Sequence, residues 1–404
     1  MSERINTVII GGGCIGCAIA YTLSPSRQVL VIEQEPHIPA DNQSTRNSGV
    51  VHAGIYYERQ RAPLKASLCV KGNKMLYQFC LEHEDSVPCK MTGKLVVAAS
   101  SEELPFLEHT RKIGLENRVP GLRMLDRTEL TSFEPNVSGI AALLVPSSGV
   151  VDPAAYVKKL KLLAEARGAM ILTGTKVVSI SHNGVMTLTA ESNGTRYRLE
   201  AENVVNAAGL HSGDIARMIN PRCDYSITPT RGEIAKFNHS KRSDISIRGM
   251  NIYPVFTGYE TATGKNVRVP LDDFLSLEER GKITRTVGVH ITPTFDGASE
   301  GNMLGPTAII GPLKSVNVGM SDYANNLKHP LAYYERIKTF FPHIRPDDIS
   351  LHYTGIMAVP TGQFDFIIER DPVVPRCLQL IGIESPGLTA SLAIGEYVRE
   401  MIDA

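Results

Sequence analysis

Thr7-Val-Ile-Ile-Gly-Gly-Gly-Cys-Ile-Gly16 is the stretch that decides the fold of this 404-residue chain. The apolar run at its start predicts a buried strand, and a helix is expected from Cys17 to Leu23. A second apolar run, Val29 to Glu33, predicts the next strand. Strand, glycine-rich turn, helix and strand together predict a βαβ unit of the kind that binds a dinucleotide.

The turn also predicts which residues contact the nucleotide. Its glycines let backbone N–H groups and the helix N-terminus face a pyrophosphate, and a carboxylate about 20 residues further on is placed to bind ribose hydroxyls and to repel a 2′-phosphate. The residues expected to contact the cofactor here are Gly11, Gly13, Cys14, Ile15, Gly16, Glu33 and Gln34. The alternative is a tight turn that serves packing alone. Cys14 and Cys17 lack a second ligand pair, so we expect packing residues rather than a redox or zinc site, and no metal.

The composition indicates a protein that acts on small molecules. Lys+Arg and Asp+Glu number 42 each, so no charge excess predicts a nucleic-acid partner. The 7 scattered cysteines are typical of reduced thiols rather than a disulfide framework. We find no pattern of a signal peptide or a membrane-spanning helix, and therefore expect a cytoplasmic protein. A peripheral membrane contact stays open, and the oligomeric state is not predicted.

Two kinds of segment alternate along the chain. Asp152-Pro153 predicts the start of a helix to about Arg167, followed by strands at Ala169 to Leu172 and Glu202 to about Ala208. Longer antiparallel strands are expected at 93–99, 140–145, 232–237 and 286–292. The segments 257–285 and 296–311 are interpreted as surface loops. The chain therefore leaves one α/β domain for a second domain and returns.

Two later motifs favour a flavin over a nicotinamide. Val204 to Gly209 predicts a strand that ends in small residues, as needed where the backbone passes close to a cofactor. In Gly382 to Thr389, Ser385 is expected to cap and Pro386 to open a last helix to about Met401, whose N-terminus could face the flavin N1/O2 edge. The alternatives are an ordinary strand end and a capped surface helix. The sequence contains no second glycine fingerprint, so a separate NAD(P)H site is not expected.

Six further motifs accompany the glycine turn. They are Arg46-Asn-Ser-Gly-Val-Val-His-Ala-Gly-Ile-Tyr-Tyr57, Leu64 to Val70, Thr92 to Ala98, Gly149 to Asp152, Asn206 to Gly209 and Gly382 to Ser391. With these, nearly the whole chain resembles the D-amino-acid-oxidase-like FAD oxidoreductases, and within them the L-2-hydroxyglutarate dehydrogenase/oxidase branch. The resemblance implies an α/β fold with a noncontiguous Rossmann-like FAD-binding domain (1–90, 146–225 and 345–404). A substrate domain on a mainly antiparallel sheet with helices (91–145 and 226–344) is also implied, with an inserted loop at about 256–285.

The resemblance also implies site residues. Further cofactor contacts would be Arg46, Asn47, Ser48, Val177, Ala207, Ala208, Gly209, Gly355, Met357, Ser385, Pro386, Gly387, Leu388 and Thr389. Near the reacting face would lie His52, Tyr56, Tyr253, Arg231 and His290, with either histidine as the base and Arg231 as a carboxylate clamp. For each of these a purely structural role is the alternative. FAD is expected to be noncovalent, and a covalent link through His52 is the alternative.

Two departures concern the substrate. Met357 stands where the family commonly has an arginine, and losing such a contact forgoes roughly 1.5 to 3 kcal/mol of binding. The inserted segment, and Gly305-Pro-Thr-Ala308 in place of a more polar motif, fall in the same domain.

Three functions follow from these observations. The first hypothesis is oxidation of a small 2-hydroxy acid to the 2-oxo acid, with electrons passed to oxygen or a quinone-type acceptor. The rivals are the same fold acting on an amine, an amino acid or a less acidic alcohol, and a flavin-binding or partner-binding protein without turnover.

Overall fold

The structure is a computed structural model that describes residues 4–242, 244–245, 247–263, 265–296 and 302–404. The strands are β1 (Ile5–Ile10), β2 (Val29–Ile32), β3 (Val50–Val51), β4 (Cys89–Lys90), β5 (Lys94–Ala98), β6 (Arg123–Asp126), β7 (Ala141–Val145), β8 (Gly149–Val151), β9 (Met170–Leu172), β10 (Lys176–Ser181), β11 (Met186–Ser192), β12 (Thr195–Asn206), β13 (Ile227–Asn238), β14 (Asn251–Pro254), β15 (Thr257–Glu260), β16 (Asn266–Val267), β17 (Ile283–Thr286), β18 (His290–Phe295), β19 (Leu304–Val316), β20 (Ile349–Pro360), β21 (Ile367–Arg370) and β22 (Cys377–Ile381). The α-helices are α1 (Cys14–Leu23), α2 (Pro63–Glu82), α3 (Leu104–Glu116), α4 (Arg127–Phe133), α5 (Pro153–Ala166), α6 (Ser212–Ile219), α7 (Leu271–Glu279), α8 (Pro330–Ile337) and α9 (Gly387–Asp403).

The first sheet is built around the predicted βαβ unit. β1 pairs in parallel with β2 and with β12, β9 extends the sheet beyond β2, and β22 lies on the far side of β12. Buried apolar residues of β1, α1 and α9 form one continuous core under this sheet. Parallel strands covered by helices explain why the strands read as apolar runs. The sequence prediction of a Rossmann-like unit is confirmed.

The second sheet has the strand order β20-β13-β19-β18-β14-β5-β7-β6. Its pairs are antiparallel except for β5 with β14. One face packs on α8 and the segment after it, where Tyr333, Phe340 and Phe341 are buried in the second core. The predicted mainly antiparallel sheet is therefore confirmed, although β20 belongs to it. The sequence prediction places residues 349–360 in the FAD-binding domain, whereas β20 pairs with β13 of this sheet.

The segment predicted as an inserted surface loop is folded. β15 pairs with β16 and β17, and α7 packs on them through Phe274, which is buried with Phe256 and Ile283. The prediction failed because short amphipathic elements in a polar stretch leave little periodicity to detect. The segment is a small βαβ-like subdomain attached to the second sheet.

Four smaller predictions also need correction. The strand predicted at 286–292 is two strands, β17 and β18, separated by Gly288 with φ +76°. The loop predicted at 296–311 includes strand β19 from Leu304 onward, and residues 297–301 lie outside the described part. The helix predicted from Cys17 begins at Cys14, and α9 begins at Gly387 without a side-chain cap from Ser385.

Candidate functional site

A cavity of about 820 Å³ runs from the glycine-rich turn after β1 to the second sheet. Nearly all of the predicted site residues line it: Gly11, Gly13, Cys14, Ile15, Glu33, Gln34, Arg46, Asn47, Ser48, His52, Tyr56, Val177, Ala207, Ala208, Gly209, Tyr253, His290, Gly355, Met357, Ser385, Pro386, Gly387 and Leu388. Gly16, Arg231 and Thr389 are outside the lining. The size is in the range of small-molecule and cofactor sites.

Glu33 marks the nucleotide end of the cavity. Its carboxylate accepts hydrogen bonds from the backbone N–H groups of Gly12 at 2.6 Å and Glu35 at 2.8 Å. The side chain is only 6% exposed, so its orientation is set by these bonds. Each carboxylate oxygen keeps a free lone pair for a ribose hydroxyl. The position fits the sequence prediction of a ribose contact.

The start of α1 forms a cradle that side chains would block. A Cβ added to Gly11 would lie 2.4 Å from the Ala207 carbonyl oxygen, and one added to Gly13 would lie 2.9 Å from Ser44 Oγ. Ser44, which the sequence analysis missed, accepts a hydrogen bond from the Cys14 N–H at 2.8 Å. Glycine is therefore required at Gly11, where φ is +107° and the neighbour is backbone, while at Gly13 a side chain would displace the Ser44 hydroxyl. The chain presents backbone at close approach where a pyrophosphate is expected.

Gly16 and the two cysteines serve packing instead. A Cβ on Gly16 would lie 1.9 Å from the Gly11 carbonyl oxygen, so the third glycine allows helix and turn to touch rather than binding the cofactor. Burial raises the pKa of the Cys14 thiol to about 12 and raises that of Cys17 as well. Both stay protonated, which argues against metal ligation or redox chemistry. No group of residues in the described ranges could hold a metal ion.

The far end of the cradle is built by the Arg46 loop and α9. Arg46 pairs with Asp41 and donates to the Thr354 carbonyl oxygen, while its guanidinium lies over the Tyr323 ring at 4.8 Å. The N-terminus of α9 opens at Gly387 on the cavity wall, and its 17 residues give it a full helix dipole. These features fit the flavin end of the expected cofactor.

His52 is held on both sides by α9. Its backbone N–H donates to Thr389 Oγ1 at 3.0 Å, and its Nε2 is 3.2 Å from Ser385 Oγ. Thr389 therefore accepts a hydrogen bond from the His52 backbone and does not line the cavity. Burial, followed by the charges of Lys94 and His290, lowers the pKa of His52 well below its usual value. His52 is a neutral imidazole at physiological pH.

His290 has the geometry of a general base. Its Nδ1 is 3.2 Å from the Gly288 carbonyl oxygen, which can only accept, so Nδ1 carries the proton and Nε2 does not. Nε2 is buried without a hydrogen-bond partner, and the ring stacks on Tyr253 at 3.9 Å. Burial lowers the pKa of His290 to about 3, with Lys94 contributing. The Tyr56 hydroxyl is a second buried polar group without a partner on the same wall.

Arg231 does not enter the cavity. Its side chain is 2% exposed and is paired with Glu233 at 3.1 Å and with Asp322 at 3.0 Å. Along β13 it is Gly232 and Ile234 that line the cavity, so strand alternation turns Arg231 to the other face. The structure therefore does not favour Arg231 as the predicted carboxylate clamp. Met357 does line the cavity.

Four cations near the site were missed by the sequence analysis. Lys65, Arg285 and Lys314 line the cavity, and Lys94 is buried behind Tyr253 with its Nζ 3.9 Å from the ring centroid. Lys65 pairs with Glu384 at 2.8 Å. Lys65 and Lys94 lie in motifs that carried the family resemblance, which was the available signal. Nothing in the sequence pattern distinguished Lys314.

Comparison with known proteins agrees with this geometry. The family model described as FAD dependent oxidoreductase (DAO) matches residues 6–401. Mitochondrial L-2-hydroxyglutarate dehydrogenase of Arabidopsis thaliana is 31% identical over 98% of this chain and 83% of its own. The Homo sapiens protein of that name is 32% identical over 99% and 89%. L-2-hydroxyglutarate dehydrogenase of Indibacter alkaliphilus is 29% identical over 97% of each chain.

Solved structures share the fold. L-alpha-glycerophosphate oxidase from Mycoplasma pneumoniae, dithionite reduced and with FAD bound, superposes with a TM-score of 0.81 at 24% identity, covering 100% of this chain and 95% of the other. Glycine oxidase from Geobacillus kaustophilus gives a TM-score of 0.75 at 17% identity, with coverages of 100% and 95%. The match to the family model extends over both sheets and the whole cavity, and the cradle described above fits FAD. The chain therefore belongs to the DAO family of FAD-dependent oxidoreductases.

Proposed function

We propose that this protein oxidises L-2-hydroxyglutarate, or a closely similar 2-hydroxy acid, to the corresponding 2-oxo acid. The proposal is supported by the curated relatives, which carry the name L-2-hydroxyglutarate dehydrogenase in a plant, an animal and a bacterium and are about as long as this chain. The observation in the structure that carries it is the unprotonated, unpartnered Nε2 of His290 on the cavity wall.

Oxidation of a secondary alcohol needs a base for the hydroxyl proton and an acceptor for the hydride. When bound, FAD supplies the acceptor at its N5. The chain supplies the base: His290 Nε2 takes the hydroxyl proton, because the hydrogen bond from Nδ1 to Gly288 fixes the tautomer. Burial lowers its pKa to about 3, so the ring is neutral in the resting site and its Nε2 lone pair is unprotonated. The Tyr56 hydroxyl orients the substrate by donating to it.

His52 is the second candidate base. Its Nε2 already has a neighbour in Ser385, so in our proposal it orients the substrate hydroxyl or receives the proton after a shift of that hydroxyl. We propose noncovalent FAD, with oxygen or a quinone-type molecule as electron acceptor. We also propose a cytoplasmic location, in line with the bacterial relative, whose name carries no organelle. No helix in the described ranges is long and apolar enough to cross a membrane.

Rapid mixing of the oxidised enzyme with L-2-hydroxyglutarate under anaerobic conditions tests the proposal. We expect bleaching of the flavin band at about 450 nm in the wild type. Base removal costs about 10²- to 10⁴-fold, so His290→Gln should slow bleaching by that amount. The control is His182→Gln, since His182 is exposed and outside the cavity. Unchanged bleaching in both His290→Gln and His52→Gln would refute the assigned roles.

A second function is favoured by Met357. A thioether cannot bind a carboxylate, so the same site could oxidise an amine or a less acidic alcohol. Reduction by such a compound, with no reduction by L-2-hydroxyglutarate, would select this function. A flavin that no compound of either class reduces would support a protein without turnover.

A further inference from the structure

Lys314 is a cavity cation without an anionic partner. Of the other positive groups on the substrate side, Lys65 is paired with Glu384, and Arg285 is paired with Glu58 and Glu278. Within the described ranges, the Lys314 ammonium has no ion pair and no side-chain hydrogen bond, and the anionic charge that acts on it is that of Glu384, the partner of Lys65. An ammonium group that is turned toward a cavity without a direct anionic contact is a natural site for an anion.

Strand geometry places Lys314 on the same wall as the missing arginine. Lys314 pairs with Gly232 of β13, and Gly232 pairs with Gly355 of β20, so the three lie in one row across the sheet. Met357 is two residues from Gly355 on β20 and also lines the cavity. Residues in one row point to the same face. Its two row neighbours are glycines, so no neighbouring side chain of this row covers Lys314, although the Arg46 backbone lies against Gly355.

The opposite face of β19 is already accounted for. Leu313 is buried in the second core, and Ser315 donates to Glu233 at 2.9 Å. Pro312 and Lys314 therefore turn to the cavity, as alternation requires. Lys314 and His290 both line the cavity, and Gly311, three residues before Lys314, pairs with His290. The charge of Lys314 contributes to lowering the pKa of His290.

We propose that the Lys314 ammonium binds a carboxylate of the substrate, in place of the guanidinium that Met357 lacks. The inference rests on the proposed function for the identity of the substrate, but not for the existence of the anion site. Binding a carboxylate gives a direct partner to a cation whose pKa is lowered by burial, raised by the charge of Glu384 and lowered by the charge of Lys65. Arg231 is then free to serve as a structural ion pair on the other face.

The test measures binding apart from turnover. Glutarate, a dicarboxylate without a hydroxyl to oxidise, is titrated into the FAD-loaded enzyme, and its dissociation constant is read from the change in the flavin spectrum. Lys314→Met should weaken binding by about 10- to 100-fold. Lys314→Arg should restore most of the affinity, and Met357→Arg in the Lys314→Met background should restore part of it. Lys236→Met, on the same sheet but outside the cavity lining, is the control.

The outcomes separate the two proposals. An unchanged dissociation constant in Lys314→Met, with FAD content and melting temperature like those of the wild type, overturns the role of Lys314. So does a wild type that binds no glutarate. A wild type that binds glutarate through Lys314 but is reduced by no 2-hydroxy acid keeps the anion site and overturns the proposed function. If L-2-hydroxyglutarate is oxidised, its KM should rise in Lys314→Met by the same factor as the glutarate dissociation constant.

Discussion

Replacing Lys94 with methionine should stabilise the protein at neutral and acidic pH. Lys94 is 1% exposed in β5, and in the described part of the chain no carboxylate pairs with it. Burial lowers its pKa from 10.5 to about 7, which at 1.36 kcal/mol per pKa unit disfavours the charged form by about 5 kcal/mol. Its Nζ lies over the rings of Tyr253 at 3.9 Å and Tyr56 at 5.3 Å. These cation–π contacts stabilise the charged form and offset about 2 kcal/mol of that cost. The expected net gain for Lys94→Met is about 3 kcal/mol.

The lowered pKa of Lys94 determines how the stability difference between variant and wild type should vary with pH. Between about pH 7 and about pH 10.5 the unfolded chain holds the proton on Lys94 and the folded protein does not, so wild-type stability rises with pH across this window. Lys94→Met removes that rise. The difference between variant and wild type should therefore be largest at and below about pH 7 and should vanish above about pH 10.5.

Replacing Lys94 with methionine should also change the pH dependence of the activity. The charge of Lys94 lowers the pKa of both His52 and His290, so its removal raises both. The base then becomes protonated at a higher pH, and the acid limb of the kcat/KM profile should move to higher pH. Urea unfolding of the FAD-loaded enzyme at several pH values, with the pH profile of kcat/KM, measures both effects. A variant less stable than the wild type by the same amount at every pH would mean that Lys94 stabilises through its contacts, and would refute the reasoning.

Three further substitutions test separate parts of the structure. Glu33→Gln should weaken FAD binding at least about 10-fold, measured by the dissociation constant of FAD, because a charge-assisted contact to the ribose is lost. Gly355→Ala should lower the free energy of unfolding by about 1 to 3 kcal/mol, since its Cβ would lie 2.0 Å from the Arg46 carbonyl oxygen, and urea unfolding measures this. Glu278→Gln should cost about 3 to 5 kcal/mol by the same measurement, because it removes the buried carboxylate that Arg61 and Arg285 share and leaves Arg285 only the more exposed Glu58; a change below about 1 kcal/mol would contradict a structural role for this carboxylate.

The cofactor half of the site could be predicted from the sequence because its signals are local. The glycine turn and Glu33 lie within one βαβ unit, where spacing along the chain decides proximity in space. The exception is Gly16, whose fingerprint position predicts a cofactor contact but whose Cβ would meet Gly11. Sequence spacing cannot distinguish a glycine that approaches a ligand from one that approaches the backbone.

The substrate half could be predicted only in part, since it depends on which face of a strand each side chain takes. Arg231 and Gly232 are neighbours in sequence, yet one is paired in the core and the other lines the cavity. A one-residue change of register would exchange them, and no feature of the β13 sequence fixes that register. Lys314 was missed for the same reason, because a single lysine in a strand does not show which face of the sheet its side chain takes.

Met357 and Arg285 of the inserted subdomain both line the cavity, and together they determine how much positive charge it offers to a substrate. Arg285, at the end of the subdomain, lines the cavity and joins Glu278 of α7 to Glu58, which directly follows the stretch that carries His52 and Tyr56. The single guanidinium of Arg285 is paired with both of these carboxylates, so the subdomain holds that stretch in place without offering a free cation to a substrate. The positive charge lost at Met357 is therefore not replaced by the insertion. Of the cations that line the cavity on the substrate side, Lys314 is the one that the described carboxylates leave without an ion pair, which is why we place the anion contact there.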